Sequence, residues 1–196
     1  MTRLGPVDLE LRGRHVALVP LRPEHRSALA AAVGDLHRLW YTSVPDAAGM
    51  EAEIARRIAL RDAGSMIPFT LLDTRGTPIG MTTYMHIDHA VPRVEIGSTW
   101  IGQTVQRGPL NTDAKRLLLG HAFEIWHCEA VEFRTHRLNQ QSRRAIERLG
   151  AQLDGVLRAH LRMENGTMRD TACYSIVKSE WPTVRAHLEW QIEKPR

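Results

Sequence analysis

The sequence has few of the residues that form covalent cross-links or metal sites. Its 196 residues include only two cysteines, Cys128 and Cys173, which form no C-x-x-C pair and lie beside apolar residues. We therefore expect two buried free thiols rather than a disulfide or a reactive nucleophile. The ten histidines are spread along the chain without an H-x-x-x-H pair or a Cys/His cluster. No resident metal ion is expected.

Long apolar runs are also missing, since no stretch approaches the ~20 residues that a membrane span requires. The start of the chain, Met1 to Pro6, lacks the apolar segment of a signal peptide, which favours a cytoplasmic protein without membrane contact. The 26 basic residues exceed the 22 acidic ones, but the two signs are interleaved. Because no helix-turn-helix, RNA-recognition or zinc-finger pattern occurs, direct nucleic-acid binding is not expected.

The hydrophobic pattern predicts an alternation of strands and helices, without internal repeats or an obvious linker. Predicted strands cover 15–20, 67–72, 78–85, 93–101, 130–135, 155–162 and 169–177. Predicted helices cover 23–33, 50–63, 111–126, 140–149 and 181–192. A polar loop is expected to hold His86, Asp88 and His89. This order predicts a mixed α/β domain over 1–196, although topology does not follow from periodicity alone.

The segment from Val105 to Lys115 lies between a predicted strand and the clearest predicted helix. Backbone N–H groups at the start of a helix point at whatever lies there, and the helix dipole favours an anion. Gly108 would let a bulky anion approach the backbone closely. Asn111 or Thr112 is expected to cap the helix. The alternative is an ordinary capped turn between a strand and a helix.

Five short motifs occur in order between residues 95 and 151. They are Glu95-Ile-Gly97, Asn111-Thr-Asp-Ala-Lys115, His121-Ala-Phe-Glu124, Asn139-Gln-Gln-Ser142 and Ala145-Ile-Glu-Arg-Leu-Gly-Ala151. Together they resemble the RimJ/RimL-like branch of the GNAT N-acetyltransferases, which acetylates the N-termini of ribosomal proteins. The resemblance implies one GNAT domain, with a mostly antiparallel twisted sheet flanked by helices. It also implies that acetyl-CoA lies where the sheet splays between its fourth and fifth strands.

The resemblance assigns the pyrophosphate of acetyl-CoA to the loop from Gln106 to Asn111. Gln106 matches the family pattern, whereas Pro109 stands where a second glycine is expected and Asn111 replaces a final glycine or alanine. Pro109 has no N–H, so one backbone donor is lost. The backbone amides expected to hold the cofactor are those of Trp100, Ile101, Arg107, Gly108, Leu110 and Asn111.

Asn139 and Ser142 match the family's Asn-x-x-Ser, which reaches the pantetheine and thioester. The alternative for both is helix capping. The tyrosine acid of many GNAT enzymes is absent, because Ile146 occupies the matching place. Either Ser142 or water would then protonate the leaving thiolate.

Glu95 is the candidate general base. It alternates with Val94 and Ile96, so its side chain faces away from theirs, into the cleft or, alternatively, into solvent. A carboxylate in the cleft can accept the amine proton directly or through water.

The resemblance implies direct transfer of an acetyl or longer acyl group from its CoA thioester to a primary amine, without a covalent enzyme intermediate. The acceptor is left open between a protein N-terminal amine and a small molecule. Trp40 and Tyr84 are candidates to line its site, with core packing as the alternative for each. Two rival functions remain: acyl-CoA binding without catalysis, and a pure interaction domain. The oligomeric state, including a homodimer, is also open.

Overall fold

The computed structural model describes residues 8–194. The segment on which the expectation about a signal peptide rests, Met1 to Pro6, lies outside the described residues. The strands are β1 (Leu11–Arg12), β2 (Ala17–Pro20), β3 (Met66–Leu72), β4 (Pro78–Asp88), β5 (Arg93–Ile101), β6 (Ala130–His136), β7 (Gln152–Arg162) and β8 (Met168–Val177). The helices are α1 (Arg26–Val33), α2 (Met50–Asp62), α3 (Leu110–Gly120), α4 (Gln140–Glu147) and α5 (Trp181–Glu193).

The element order matches the prediction, and the differences lie at the ends of elements. A 3₁₀ turn over Pro23–His25 precedes α1, so the helix expected from residue 23 begins in a tighter form. The helix expected over 111–126 is α3 followed by one π-helical turn over His121–Ile125. The two-residue strand β1 was not predicted, because two residues carry no readable periodicity.

The eight strands form one sheet in the order β1-β2-β3-β4-β5-β6-β8-β7. Neighbours are antiparallel except β5 and β6, which run parallel. Within the described chain that pair is short, joining only Arg93–Glu95 to Ala130–Glu132. Beyond Glu95 the two strands part, which confirms the expected splayed, mostly antiparallel α/β fold. Counted with β1, the splay falls between the fifth and sixth strands.

Helices cover the two faces of the sheet unequally. On one face α3 and α5 pack over a large core that includes residues of β2 to β6 and of β8, among them Val94, Phe133 and Tyr174. On the other face α1 and α2 pack over β3 to β5 around Met81 and Trp100. Strand β7 is the sheet edge and is exposed along nearly its whole length. The second face is therefore covered by helices mainly over its first half.

Both cysteines are free thiols, but the expectation that both are buried is confirmed only for Cys128. Cys128 is buried, and its burial raises the pKa of the thiol to about 11. Cys173 is half-buried. No helix in the described part of the chain is long and apolar enough to cross a membrane.

Candidate active site

A cleft of about 550 Å³ opens where β5 and β6 part. This volume lies in the range of small-molecule sites. Its lining joins the loop before α3 and the start of α4 to the middle of β5 and β6. Beyond Glu95 the backbone of β5 has no strand partner on the β6 side among the described residues, so its groups there can bond to a ligand.

The loop before α3 is held in place by its own side chains and backbone. The Nε2 group of Gln106 donates a hydrogen bond to the carbonyl of Ile101, over 2.8 Å. Arg107 has a left-handed φ of 62°, which turns the chain into α3. Gly108 lines the cleft, and a Cβ added there would contact only the carbonyl oxygen of Val105, at 3.6 Å. The protein itself therefore leaves room above Gly108.

The expectation that Asn111 or Thr112 caps α3 is wrong. The helix begins at Leu110, after Pro109, and no side chain caps it. The Thr112 hydroxyl instead accepts a hydrogen bond from Arg148, over 3.0 Å. An uncapped helix start leaves backbone N–H groups for a ligand, which suits an anion. The side chain of Leu110 is buried in the core, so only its backbone could take part.

One helical face of α3 lines the cleft with two polar residues. The Oδ1 atom of Asn111 is buried and has no hydrogen-bond partner among the described residues. Lys115 lies one turn further along the same face. A buried acceptor without a partner costs about 1–3 kcal/mol, so it indicates a place where a ligand donor fits.

Lys115 was not singled out by the sequence reasoning, and only 6% of it is exposed. Its Nζ donates to the hydroxyls of Thr99, over 2.9 Å, and Thr82, over 3.3 Å. No carboxylate pairs with it among the described residues. Burial lowers the pKa of this amine to about 7. Lys115 is therefore a buried amine that borders the cleft without a counter-ion.

Asn139 and Ser142 are brought to the cleft by the start of α4. The Oδ1 atom of Asn139 accepts the backbone N–H of Ser142, over 3.0 Å, so Asn139 caps the helix. This is the structural alternative that the sequence left open. Both residues nevertheless line the cleft, and a function for them stays a prediction.

Glu95 lies in β5 with 5% of its surface exposed and lines the cleft. Its Oε2 atom is 2.7 Å from Nδ1 of His86 and 3.4 Å from Nε of Arg134. A side chain at Gly97 would meet the Glu95 carboxylate at 2.8 Å, so glycine makes room for that carboxylate. Burial raises the pKa of Glu95, while His86 and Arg134 lower it and only partly oppose this effect. Such a carboxylate is suited to accept a proton near neutral pH.

The expectation of a polar loop that holds His86, Asp88 and His89 is wrong for His86 and Asp88, because both belong to β4. Regular alternation would place His86 on the face of Tyr84, away from Glu95. A β-bulge between Met85 and Asp88, with a φ of 49° at His86, turns its side chain towards Glu95 instead. A second bulge gives Ser98 a φ of 48° in the same cleft. Positive φ at two non-glycine residues is a costly geometry that functional sites often contain.

The two aromatic candidates for the acceptor site lie elsewhere. Tyr84 is 0% exposed, and its hydroxyl donates to the carbonyl of Leu118, so it belongs to the core and the prediction is wrong. Trp40 is 50% exposed and does not line the cleft. Its ring lies edge-on to His136, with centroids 5.3 Å apart, whereas its neighbour Tyr41 does line the cleft.

Trp100 and Ile101 follow the second bulge and border the cleft. The Trp100 side chain is buried beneath α1 and α2, which leaves its backbone as the part that a ligand could reach. Among residues 8–194, no group of three His, Cys, Asp or Glu side chains is placed to hold a metal ion.

Comparisons with known proteins agree on the type of domain. A model of the acetyltransferase (GNAT) domain matches residues 15–152. A curated Bacillus subtilis protein, provisionally named ribosomal N-acetyltransferase YdaF, is 32% identical over 106 residues. That match spans 54% of this chain and 57% of the relative's own length.

Solved structures resemble nearly the whole chain. A GCN5-related N-acetyltransferase from Brucella melitensis has a TM-score of 0.84 and 31% identity, covering 94% of this chain and 86% of that one. Mycobacterium smegmatis RimJ, solved with CoA-disulfide, has a TM-score of 0.77 and 22% identity, covering 94% and 93%. At 22% identity, the likeness to the Mycobacterium smegmatis protein concerns the fold alone.

Proposed function

The chain belongs to the GNAT acetyltransferase family, and on that basis we propose that it transfers an acetyl group from acetyl-CoA to a primary amine. One observation carries the proposal. A single cleft joins the loop before α3, which suits an anion, to the buried carboxylate of Glu95. A cofactor with phosphates at one end and a thioester at the other fits this arrangement.

The phosphate end of the cofactor is assigned to the start of α3. The backbone N–H groups of Arg107, Gly108, Leu110 and Asn111 would bind the pyrophosphate, and Gln106 keeps their loop against β5. Lys115 lies on the face of α3 that lines the cleft. Its amine adds a hydrogen-bond donor, and a phosphate beside it would favour the charged form of that amine. The exposed backbone near Trp100 and Ile101 would hold the pantetheine and the thioester carbonyl.

The chemistry is assigned to the other end of the cleft. Glu95 accepts a proton from the ammonium form of the acceptor, which frees the amine lone pair. The amine nitrogen bonds to the acyl carbon, and the carbon–sulfur bond breaks. Ser142 or water protonates the thiolate that leaves. His86, bonded to the same carboxylate, orients Glu95 and connects it to solvent, since His86 is more than half exposed.

The acceptor is proposed to be a protein N-terminal amine or a small-molecule amine. The name of the Bacillus subtilis relative refers to ribosomal N-acetylation, which favours the first. The face of the sheet beyond Glu95 lacks a covering helix along β7, which gives either kind of acceptor access. Binding of acetyl-CoA without turnover on any amine would favour the rival function, a cofactor-binding protein without catalysis.

Acetyl-CoA and CoA should raise the melting temperature of the protein. A ligand at ~100 times its dissociation constant adds about 2.7 kcal/mol to the free energy of unfolding. For a domain of this size the expected rise is roughly 5–10 °C. Differential scanning fluorimetry with millimolar CoA, and with adenosine as a control without phosphates, measures it. An unchanged melting temperature with CoA would contradict the assignment of the cleft.

Gly108→Val should weaken CoA binding strongly while the fold survives. The added side chain meets only an ordinary contact in the protein, but it occupies the space above the loop where the pyrophosphate would lie. Calorimetric titration with CoA measures the loss. Gly155→Val is the matched control, because a Cβ there has nothing within 4 Å and Gly155 does not line the cleft. Equal affinities for Gly108→Val and wild type would exclude this loop as the phosphate site.

A further inference from the structure

We propose that the acceptor is a primary amine that also carries a carboxylate, and that Arg169 and His136 bind this carboxylate. The inference rests on the proposed function and concerns the part of the cleft that the cofactor assignment does not use. Its basis is an excess of hydrogen-bond donors on one face of the sheet. We call this surface the acceptor face and define it by Glu95, Arg134, His136 and Arg169.

The register of the sheet places these four side chains on the same face. Glu95 in β5 pairs with Glu132 in β6, and alternation along β6 puts Arg134 and His136 on the same side as Glu132. His136 pairs with Thr171 in β8, and Arg169 is two residues before Thr171. All four members of the acceptor face line the cleft.

His136 presents a donor without an acceptor. The residue is 4% exposed, and its Nδ1 accepts the backbone N–H of Leu138 over 3.0 Å. The proton of the neutral ring is therefore on Nε2, which is buried and has no hydrogen-bond partner among the described residues. Burial lowers the pKa of His136, which keeps the ring neutral. An acceptor atom of a ligand in the cleft would satisfy the Nε2–H group.

Arg169 presents a positive charge without a carboxylate partner. Its Nε donates to the hydroxyl of Thr171 over 3.0 Å, and among the described residues it makes no ion pair. Burial lowers the pKa of this guanidinium, while the nearby charge of Glu95 opposes that effect. By contrast, Arg134 already pairs with Glu132 over 2.9 Å. The acceptor face therefore has one guanidinium left for a ligand.

A single carboxylate matches this set of groups. One guanidinium and one neutral N–H can hold a monoanion with charge-assisted hydrogen bonds. Because Arg169 and Glu95 lie close enough to interact, a carboxylate on Arg169 would bring a neighbouring amine to the candidate base. The carboxylate can come from a free amino acid or from an acidic residue at the start of a peptide.

The test compares acceptors of matched size that differ in this charge. L-phenylalanine is paired with L-phenylalaninamide, and the peptide amide Asp-Ala-Ala with Asn-Ala-Ala, while release of CoA is measured. We expect the acidic member of one pair to have a kcat/KM about 10- to 100-fold higher. A preference within the first pair would show that the carboxylate comes from a free amino acid. A preference within the second pair would show that it comes from an acidic residue at a peptide N-terminus.

Variants then test whether the acceptor face causes the preference for the acidic member of a pair. Arg169→Gln should remove the preference by lowering kcat/KM for the acidic member only, and acetyl-CoA affinity should stay unchanged. His136→Phe keeps the ring against Trp40 and should reduce the preference partly. Arg158→Gln is the control, since Arg158 lies in β7 outside the cleft lining. Should no pair turn over, the same amines are compared by the melting temperature of the CoA complex.

Equal rates for acidic and neutral members, or equal thermal shifts, would overturn the inference. An Arg169→Gln variant whose kcat/KM falls equally for both members of a pair would also overturn it. Neither outcome affects the proposed acetyl transfer, which fails instead if CoA does not bind or if no primary amine is acetylated.

Discussion

Glu95→Gln should lower kcat by about 10²–10⁴-fold at neutral pH and leave the affinity for acetyl-CoA nearly unchanged. The substitution keeps the shape of the side chain but removes the group that accepts the amine proton. Glu95 lies on the acceptor face, whereas the proposed phosphate site is at the start of α3, so cofactor binding does not depend on it. Steady-state kinetics on an acetylated amine, with calorimetry for acetyl-CoA, measure the two effects separately.

The pH dependence distinguishes a base from a positioning residue. Burial raises the pKa of Glu95, so the wild-type rate should rise as pH increases through that raised value, when the carboxylate loses its proton. In Glu95→Gln this rise should be absent. The deficit should then shrink as pH approaches the pKa of the acceptor amine, because free amine becomes abundant without a base.

Glu132→Gln is the matched control for Glu95→Gln. Glu132 is the register partner of Glu95 and lies one strand further along the sheet. It binds Arg134 but does not line the cleft. We expect its kcat to stay within a few-fold of wild type. A loss in Glu95→Gln that is the same at every pH would instead make Glu95 a positioning residue, and a wild-type kcat would remove it from the mechanism.

Lys115→Met should stabilise the protein by about 3 kcal/mol at pH 7 and weaken CoA binding about 10-fold. Burial lowers the pKa of Lys115 from 10.5 to about 7, so the folded state disfavours the charged amine. This difference corresponds to about 5 kcal/mol, of which the lost hydrogen bonds to Thr82 and Thr99 offset about 1–2 kcal/mol. Methionine fills the same space without a charge.

The sign of the pH dependence follows from proton linkage. Below about pH 7 both states bind the proton, so the destabilisation by Lys115 is complete. Between that value and 10.5 only the unfolded state stays protonated, and the destabilisation fades as pH rises. The advantage of Lys115→Met should therefore shrink between pH 7 and pH 10. Urea unfolding at several pH values measures it.

Lys178→Met is the control for this substitution, because Lys178 is about half exposed and pairs with Glu129. Its effect on the free energy of unfolding should stay within about 0.5 kcal/mol. A destabilised Lys115→Met, or an advantage that does not change with pH, would show that burial does not disfavour the charged form of Lys115.

Much of the fold could be predicted from the sequence because its signals are local. Helical spacing of apolar residues predicts α3, and Asn165-Gly166 predicts the turn between β7 and β8, where Gly166 has a φ of 82°. Ordered motifs identify the family and with it a mostly antiparallel sheet that splays open. The alternation of Val94, Glu95 and Ile96 indicates that Glu95 faces away from its neighbours, and the structure places it in the cleft.

The remaining site residues depend on contacts that no single segment contains. Tyr84 was misassigned because strand alternation gives two faces without saying which one is buried, and its register partner is Ile96 rather than Glu95. His86 reaches Glu95 only through a bulge. Lys115 looks like an ordinary helix residue until its neighbours in β4 and β5 are known. Arg169 meets the cleft only because β8 returns beside β6.

The unequal covering of the sheet bears on how such a domain diverges. On the side of α3 and α5, side chains from most strands form one continuous core, where substitutions cost folding energy. On the opposite side, the strands past Glu95 carry polar residues and an exposed edge that contribute little to that core. After gene duplication, a copy can therefore exchange residues there and acquire a new acceptor while its folding and donor binding stay intact. Diversity among relatives should concentrate on the acceptor face outside Glu95, so sequence distance there measures change of substrate better than distance over the whole chain.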